Sequence, residues 1–273
     1  MAKKDIKGNP KKGLVAQVQP KGASNQPSSQ NAAFPKDFEM REYGPLILVH
    51  FSSPKAQHQA LARVETFYES GSDASNYISL QNPKTKLMCR NYEAFNMPIL
   101  AIKEWLQAMK ISEKALSRSQ HNADPYSFPG WWRSFTNLQE SNLLDQLWRC
   151  GCLKALKDGE NPVYLISFIN KSAVHHDLLH ALYFLHPGYQ DMVRKQWLAL
   201  SKPCRLVITH ELLMRGYGEH VWIDEFQAYV SEDQGCFGKK VTEECHQVRL
   251  ELRAAQSLAW EELDLNVASI FQM

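Results

Sequence analysis

No stretch of the 273 residues is apolar for long enough to cross a bilayer, which takes about 20 residues of helix, so a membrane partner is not expected. No hydrophobic run follows the lysines at the N-terminus, which argues against a secretion signal. Arginine is missing from residues 1–36, and with it one mark of an organelle-import leader. The six cysteines form no C-x-x-C pair, and Cys150-Gly151-Cys152 alone is too short for a closed zinc site. Reduced thiols in a cytoplasmic or nuclear protein are the expectation. A large net charge is missing as well. Seven Lys and one Asp fall in residues 1–36, against 24 basic and 28 acidic residues beyond them. A tail of +6 therefore precedes a body of −4, and nothing in that body suggests a nucleic-acid partner.

What is present divides into two parts. Residues 1–36, rich in Lys, Gly, Pro, Ser, Asn and Gln, read as a disordered basic tail. Residues 37–273 read as a mainly helical domain, with seven Trp in the chain and apolar content suited to a sizeable core. Leu46–Phe51 is a strand by its apolar, partly β-branched run, and Ser53-Pro54 opens a helix that runs past Phe67. A second strand is expected near Tyr77–Leu80, within an otherwise irregular stretch from 72 to 98. Helices are expected over Ile99–Met109, Ser112–Ser119 and Leu143–Leu156, with a turn-rich loop from 121 to 131. Of the adjacent Trp131 and Trp132, one is expected in the core and the other half-exposed. Val163–Ile169 is a strand of the continuously apolar kind. Ser172 is placed to cap the helix after it, and Pro187-Gly188 to end that helix. Further helices are expected over Tyr189–Leu200, Arg205–Met214 and Val221–Val230, and a long closing one over 241–264, with Leu250, Leu252 and Leu258 apolar. The architecture inferred is α+β, predominantly helical with one small sheet.

Four of the ten histidines fall within Val174–His186. Stepped at 100° per residue, Leu178, Ala181, Leu182 and Leu185 make an apolar stripe for the core. His176 and His180 lie one turn apart on the other side, with Asp177 at their edge, so two imidazoles can reach one metal ion from a rigid backbone. His175 and His186 point elsewhere and are not expected to be ligands.

His176-Asp177-Leu178-Leu179-His180 resembles the HExxH signature of the zincin metallopeptidases, with Asp in place of Glu. The preceding strand and the downstream Asp224-Glu225-Phe226-Gln227-Ala228-Tyr229 extend the resemblance to the glutamate-type branch, over roughly residues 160–235. It implies a metal-bearing helix following a sheet strand, with one zinc per chain held by His176, His180 and Glu225. It also implies that Ala228 lets two helices pack closely, and that Asp177 is the general base of a hydrolase acting on a substrate such as a peptide. Asp is about 1.5 Å shorter than Glu, which bears directly on that role. Tyr217, His220 and Tyr229 are candidates for transition-state support.

Other readings stand beside this one. His176-Asp177 with His180 also resembles the core of HD-domain phosphohydrolases, with His121 or His58 as an earlier ligand and Asp224 as a later one. The strand before the helix and the lack of a basic phosphate-holding cluster count against it. His175 and Asp177 as half of an iron facial triad would normally sit on a β-barrel. A helical interaction protein, using its tail and Trp-bearing loop, is the non-enzymatic alternative. Substrate identity and oligomeric state are not legible in the sequence.

Overall fold

Alternation along two strands decides how the sheet is used. In β2 (Leu46–Phe51), Ile47, Val49 and Phe51 join one apolar cluster while Leu46 and Leu48 join another. In β4 (Tyr164–Phe168), Leu165 faces the first cluster, and Tyr164, Ile166 and Phe168 face the second. A strand buried on both sides needs apolar residues at every position, which is why both runs look continuous in sequence. The computed structural model describes residues 37–89, 92–113, 130–154, 162–232 and 235–271. The tail 1–36, most of the Ser112–Ser119 helix and the loop around 121–129 lie outside the described residues.

Within these the fold is α+β and predominantly helical, with one mixed four-stranded sheet in the order β1-β2-β4-β3. β1 (Phe38–Tyr43) forms an antiparallel hairpin with β2, β2 runs parallel to β4, and β3 (Phe95–Pro98) pairs antiparallel with β4. Both edge strands were missed in sequence. β1 alternates charged and apolar residues, and β3 is only four residues long. The expected strand near Tyr77–Leu80 is instead irregular, with Tyr77 turned to hydrogen-bond Glu113.

One face of the sheet is covered by α1 (Pro54–Glu69), α2 (Ile99–Ser112) and α3 (Leu138–Arg149). α1 is capped by Ser53, with Pro54 in its first turn as expected, and Gln57 ties it to β4 through Ser167 Oγ at 3.0 Å. α3 starts five residues earlier than expected, at a capping box formed by Asn137 and Glu140. It stops before Gly151, whose φ of +90° turns the chain away from the helix. Trp132 is buried in this layer and Trp131 half-buried beside it.

The other face is covered by α4 (Val174–Leu185), with Val174, Leu178, Ala181 and Leu185 on the sheet. Leu182, expected on the same stripe, packs instead into a third cluster. That cluster is built by α5 (Pro187–Ala199), α6 (Lys202–Met214), α7 (Trp222–Glu232), α8 (Lys239–Glu244) and α9 (His246–Glu262). A short α10 (Val267–Phe271) brings Ile270 back under the sheet.

Three details at helix ends differ from expectation. A 3-10 turn, Lys171–Ala173, runs straight into α4, so Ser172 sits inside that turn and not at a cap. Pro187 does not merely end α4: it opens α5, with His186 Nδ1 accepting the Tyr189 amide at 2.9 Å. The single closing helix is two, broken at Cys245, whose buried sulfur faces that of Cys204 4.0 Å away. The break lets α8 pack on α6 while α9 packs on α5 and α7. Of Leu250, Leu252 and Leu258, only Leu252 is buried.

No described helix is long and apolar enough to cross a membrane.

Candidate metal centre

The site is positioned by the packing of α7 against α4. Ala228 on α7 is fully buried, and Gln227 Nε2 donates to the Leu179 carbonyl of α4 at 3.1 Å. The Gln227 carbonyl receives the Tyr189 hydroxyl at 2.8 Å, so the side chain is fixed at both ends. That clamp sets the phase of α7, and Asp224 and Glu225, three and two residues before Gln227, face His180 on α4.

Three side chains meet as a result. One ligand atom each from His176, His180 and Glu225 lie within 4.8 Å of one another, with His180 Nε2 3.9 Å from Glu225 Oε1. A tetrahedral zinc would draw such atoms to about 3.3 Å apart, a small closure for side chains. Each imidazole is oriented by a carboxylate behind it. His180 Nδ1 bonds Asp224 Oδ1 at 2.9 Å, and His176 Nδ1 bonds Glu232 Oε2 at 2.9 Å. With a metal ion bound, a ring held in this way would offer Nε2 as its ligand atom. The donor set suits zinc: two imidazoles and a carboxylate, with room for a fourth ligand.

Asp177 lies beside them. Its Oδ1 accepts from Asn96 Nδ2 at 3.1 Å, and the Asn96 carbonyl accepts the Tyr164 hydroxyl at 2.6 Å. Strands β3 and β4 thus steady the carboxylate from below. The other oxygen, Oδ2, is buried with no hydrogen-bond partner, as is Glu225 Oε2. Both residues line a cavity of about 510 Å³.

That cavity also holds two carboxylates that were not among the expected site residues. Glu65 and Glu69, on successive turns of α1, line it together with Tyr217 and Tyr229. Their signal was available in sequence: Gln57, Leu61, Glu65 and Glu69 recur every fourth residue, placing acids on the buried stripe of an amphipathic helix. The end of α1 is pinned to the α6–α7 loop by Gly71 N to Gly216 O at 2.8 Å and Gly218 N to Glu69 O at 2.9 Å.

Burial governs the charges. It raises Glu225 well above the ordinary carboxylate range, with His180 opposing and Glu69 reinforcing the shift. It pushes Asp177 up to about 8 and Glu69 up to about 7, and lifts Glu65 well above its ordinary value. Burial by itself would depress His180, but Asp224 and Glu225 outweigh it and hold the ring's pKa well above normal. Burial lowers His176 despite Glu232. Glu232 itself falls to about 2, because hydrogen bonds from His175 and His176 override its burial. Burial favours the neutral form of these acids while His180 opposes it, and a divalent cation among them would favour their charged form further.

The remaining candidates separate. Tyr217 and Tyr229 reach the cavity with hydroxyls 3.3 Å apart. His220 does not: it is exposed and its Nε2 meets the Tyr68 carbonyl at 2.5 Å. His175 is exposed, 3.6 Å from Glu232, and His186 bonds Glu262 at 2.7 Å, so neither joins the cluster. His58 stacks edge-on to Phe95 away from the cluster, and His121 lies outside the described residues. Asp224 serves His180 as a partner. The chain matches none of the family models, curated proteins or solved structures with which it was compared.

Proposed function

We propose that the chain is a zinc-dependent hydrolase in which His176, His180 and Glu225 hold the ion and Asp177 handles the proton. One observation carries this reading: the two imidazoles, each backed by its own carboxylate, bring ring nitrogens close to a third, buried carboxylate. A structural cluster of buried polar residues would be expected to satisfy its oxygens, yet Asp177 and Glu225 each leave one unpartnered. When bound, a zinc ion supplies a Lewis acid that polarises a carbonyl and brings the pKa of a water to about 7.

The chain's own residues do the rest. Asn96 prevents Asp177 from rotating, leaving Oδ2 to accept a proton from the attacking water and pass it to the leaving group. Its shorter reach places that transfer over roughly 3 Å directly, or through one intervening water. Tyr217 and Tyr229 are neutral donors on the cavity wall, suited to an oxyanion. A phosphate ester fits less well, because the wall carries several carboxylates beside Arg215, and Asp224, the later ligand of that reading, is engaged with His180.

Native mass spectrometry tests the metal centre: one zinc per chain is expected, lost in His180→Ala and in Glu225→Gln. Asp177→Asn is expected to keep the zinc and lose about a hundredfold or more of the hydrolysis of a fluorogenic peptide library. A wild-type chain that binds no divalent metal, or zinc content unchanged in His180→Ala, removes the reading.

A further inference from the structure

The cavity beside the histidines is larger and more acidic than one cation requires. Glu65 and Glu69 line both the 510 Å³ cavity and a neighbouring one of about 280 Å³, so they stand where the two share a wall. The carboxyls are hydrogen-bonded to each other and both are buried. Glu65 is 1% exposed, and its Oε2 has no hydrogen-bond partner. A buried carboxylate oxygen without a donor is costly unless a ligand supplies one. The cationic side chain on the same wall, Arg215, lies 4.9 Å over the Tyr229 ring. His180 attracts Glu69 while its ring is charged, and a ring that ligates a divalent ion gives up that charge, which leaves the α1 pair facing the cavity.

On the basis of the zinc hydrolase reading, we propose that Glu65 and Glu69 form a subsite for a protonated primary amine, so that substrates carry an ammonium group near the bond cleaved. The shape of the pair selects the cation. Among the described residues the only cluster with metal-ligand spacing is His176, His180 and Glu225, so a second divalent ion lacks a third close ligand at Glu65 and Glu69. A guanidinium is planar and pairs best with one carboxylate in a fork. An ammonium is a compact charge with three donors, which suits two carboxyls stacked one helical turn apart. Glu93, exposed on the same wall, adds negative charge that draws such a substrate in.

The test uses the zinc-loaded chain and a ladder of hydroxamates, each anchored to the ion by the same group and bearing a terminal amine after one to five methylenes. Each is paired with its N-acetyl counterpart, and affinities are read by titration calorimetry at pH 7 alongside zinc content. At least one length is expected to bind about tenfold tighter with its amine free. That preference is expected to fall below about twofold in Glu65→Gln and Glu69→Gln, with one zinc retained. No preference at any length in the wild type, or a preference that survives both variants, overturns the proposal. So does a second divalent ion per chain that is lost on Glu65→Gln. Absence of zinc from the wild type is a separate result, which removes the metal centre and the amine subsite with it.

Discussion

Asp224 Oδ1 takes the Nδ1 edge of His180 at 2.9 Å, while the next residue, Glu225, brings its carboxylate to the Nε2 edge at 3.9 Å. Two consecutive residues of α7 therefore hold one imidazole from both sides. The first orients the ring, and in the proposed metal centre the second would share what the ring binds. Replacing the first should weaken metal binding without removing a ligand. Asp224→Asn is expected to lower zinc affinity about tenfold to a hundredfold, measured by competition with a chelator of known affinity. An unchanged affinity would mean that Asp224 plays no orienting role.

Zinc should also stabilise the fold, since the ligands come from separate helices that unfolding would scatter. At a free concentration about 100 times the dissociation constant the gain is about 2.7 kcal/mol. For a chain of this size that corresponds to a rise of roughly 5–10 °C in Tm. Scanning calorimetry with zinc and with a chelator measures it, and Glu225→Gln is expected to abolish most of the difference.

A pH effect is expected in α3, away from the histidines. Glu140 pairs with Arg63 at 3.1 Å, both nearly fully buried, and burial outweighs that partner to push its pKa up from 4.5 to about 7. A raised folded-state pKa means that the protonated acid is favoured in the native state. Its stabilising contribution is complete below about pH 4.5 and is lost as pH rises through about 7. Between those limits wild type should lose roughly 3 kcal/mol relative to Glu140→Gln, read by urea denaturation at several pH values. Parallel pH profiles for the two proteins would refute this.

The sulfurs of Cys150 and Cys152 are 3.1 Å apart and hydrogen-bonded, which brings the Cys150 thiol down to about 7 against its burial. Its thiolate should therefore form, and its alkylation by iodoacetamide accelerate, as pH passes about 7. Peptide mass spectrometry over a pH series measures this, and Cys152→Ala is expected to move the rise to higher pH.

Much of this was legible because local pattern and tertiary demand agree. The run Leu46–Phe51 is apolar at both parities, and only a strand covered on both faces needs that. The clustering of 176, 180 and 225 was legible because helix periodicity pairs the first two and the resemblance to the zincins singles out the third. Asn96 and Glu232 were not. Each acts on a residue far away in sequence, and nothing local distinguishes a buried asparagine on a four-residue strand from one in a loop. Glu65 and Glu69 fall between these cases, visible as acids on an apolar stripe yet silent about what they face. The break at Cys245 was hidden for the opposite reason: helix propensity runs on through it, and only the need to pack two segments against different neighbours separates them.

β2 and β4 run side by side, yet more than a hundred residues of chain come between them. A ribosome therefore releases the first hairpin long before the strand that seals its inner border, and the histidines follow only after that. Until then Leu46 and Leu48 stay uncovered next to a row of unmet amides, an invitation to other chains in the same condition. A fragment ending near residue 150 keeps that border open for good and is expected to precipitate, whatever the merits of the half it never received.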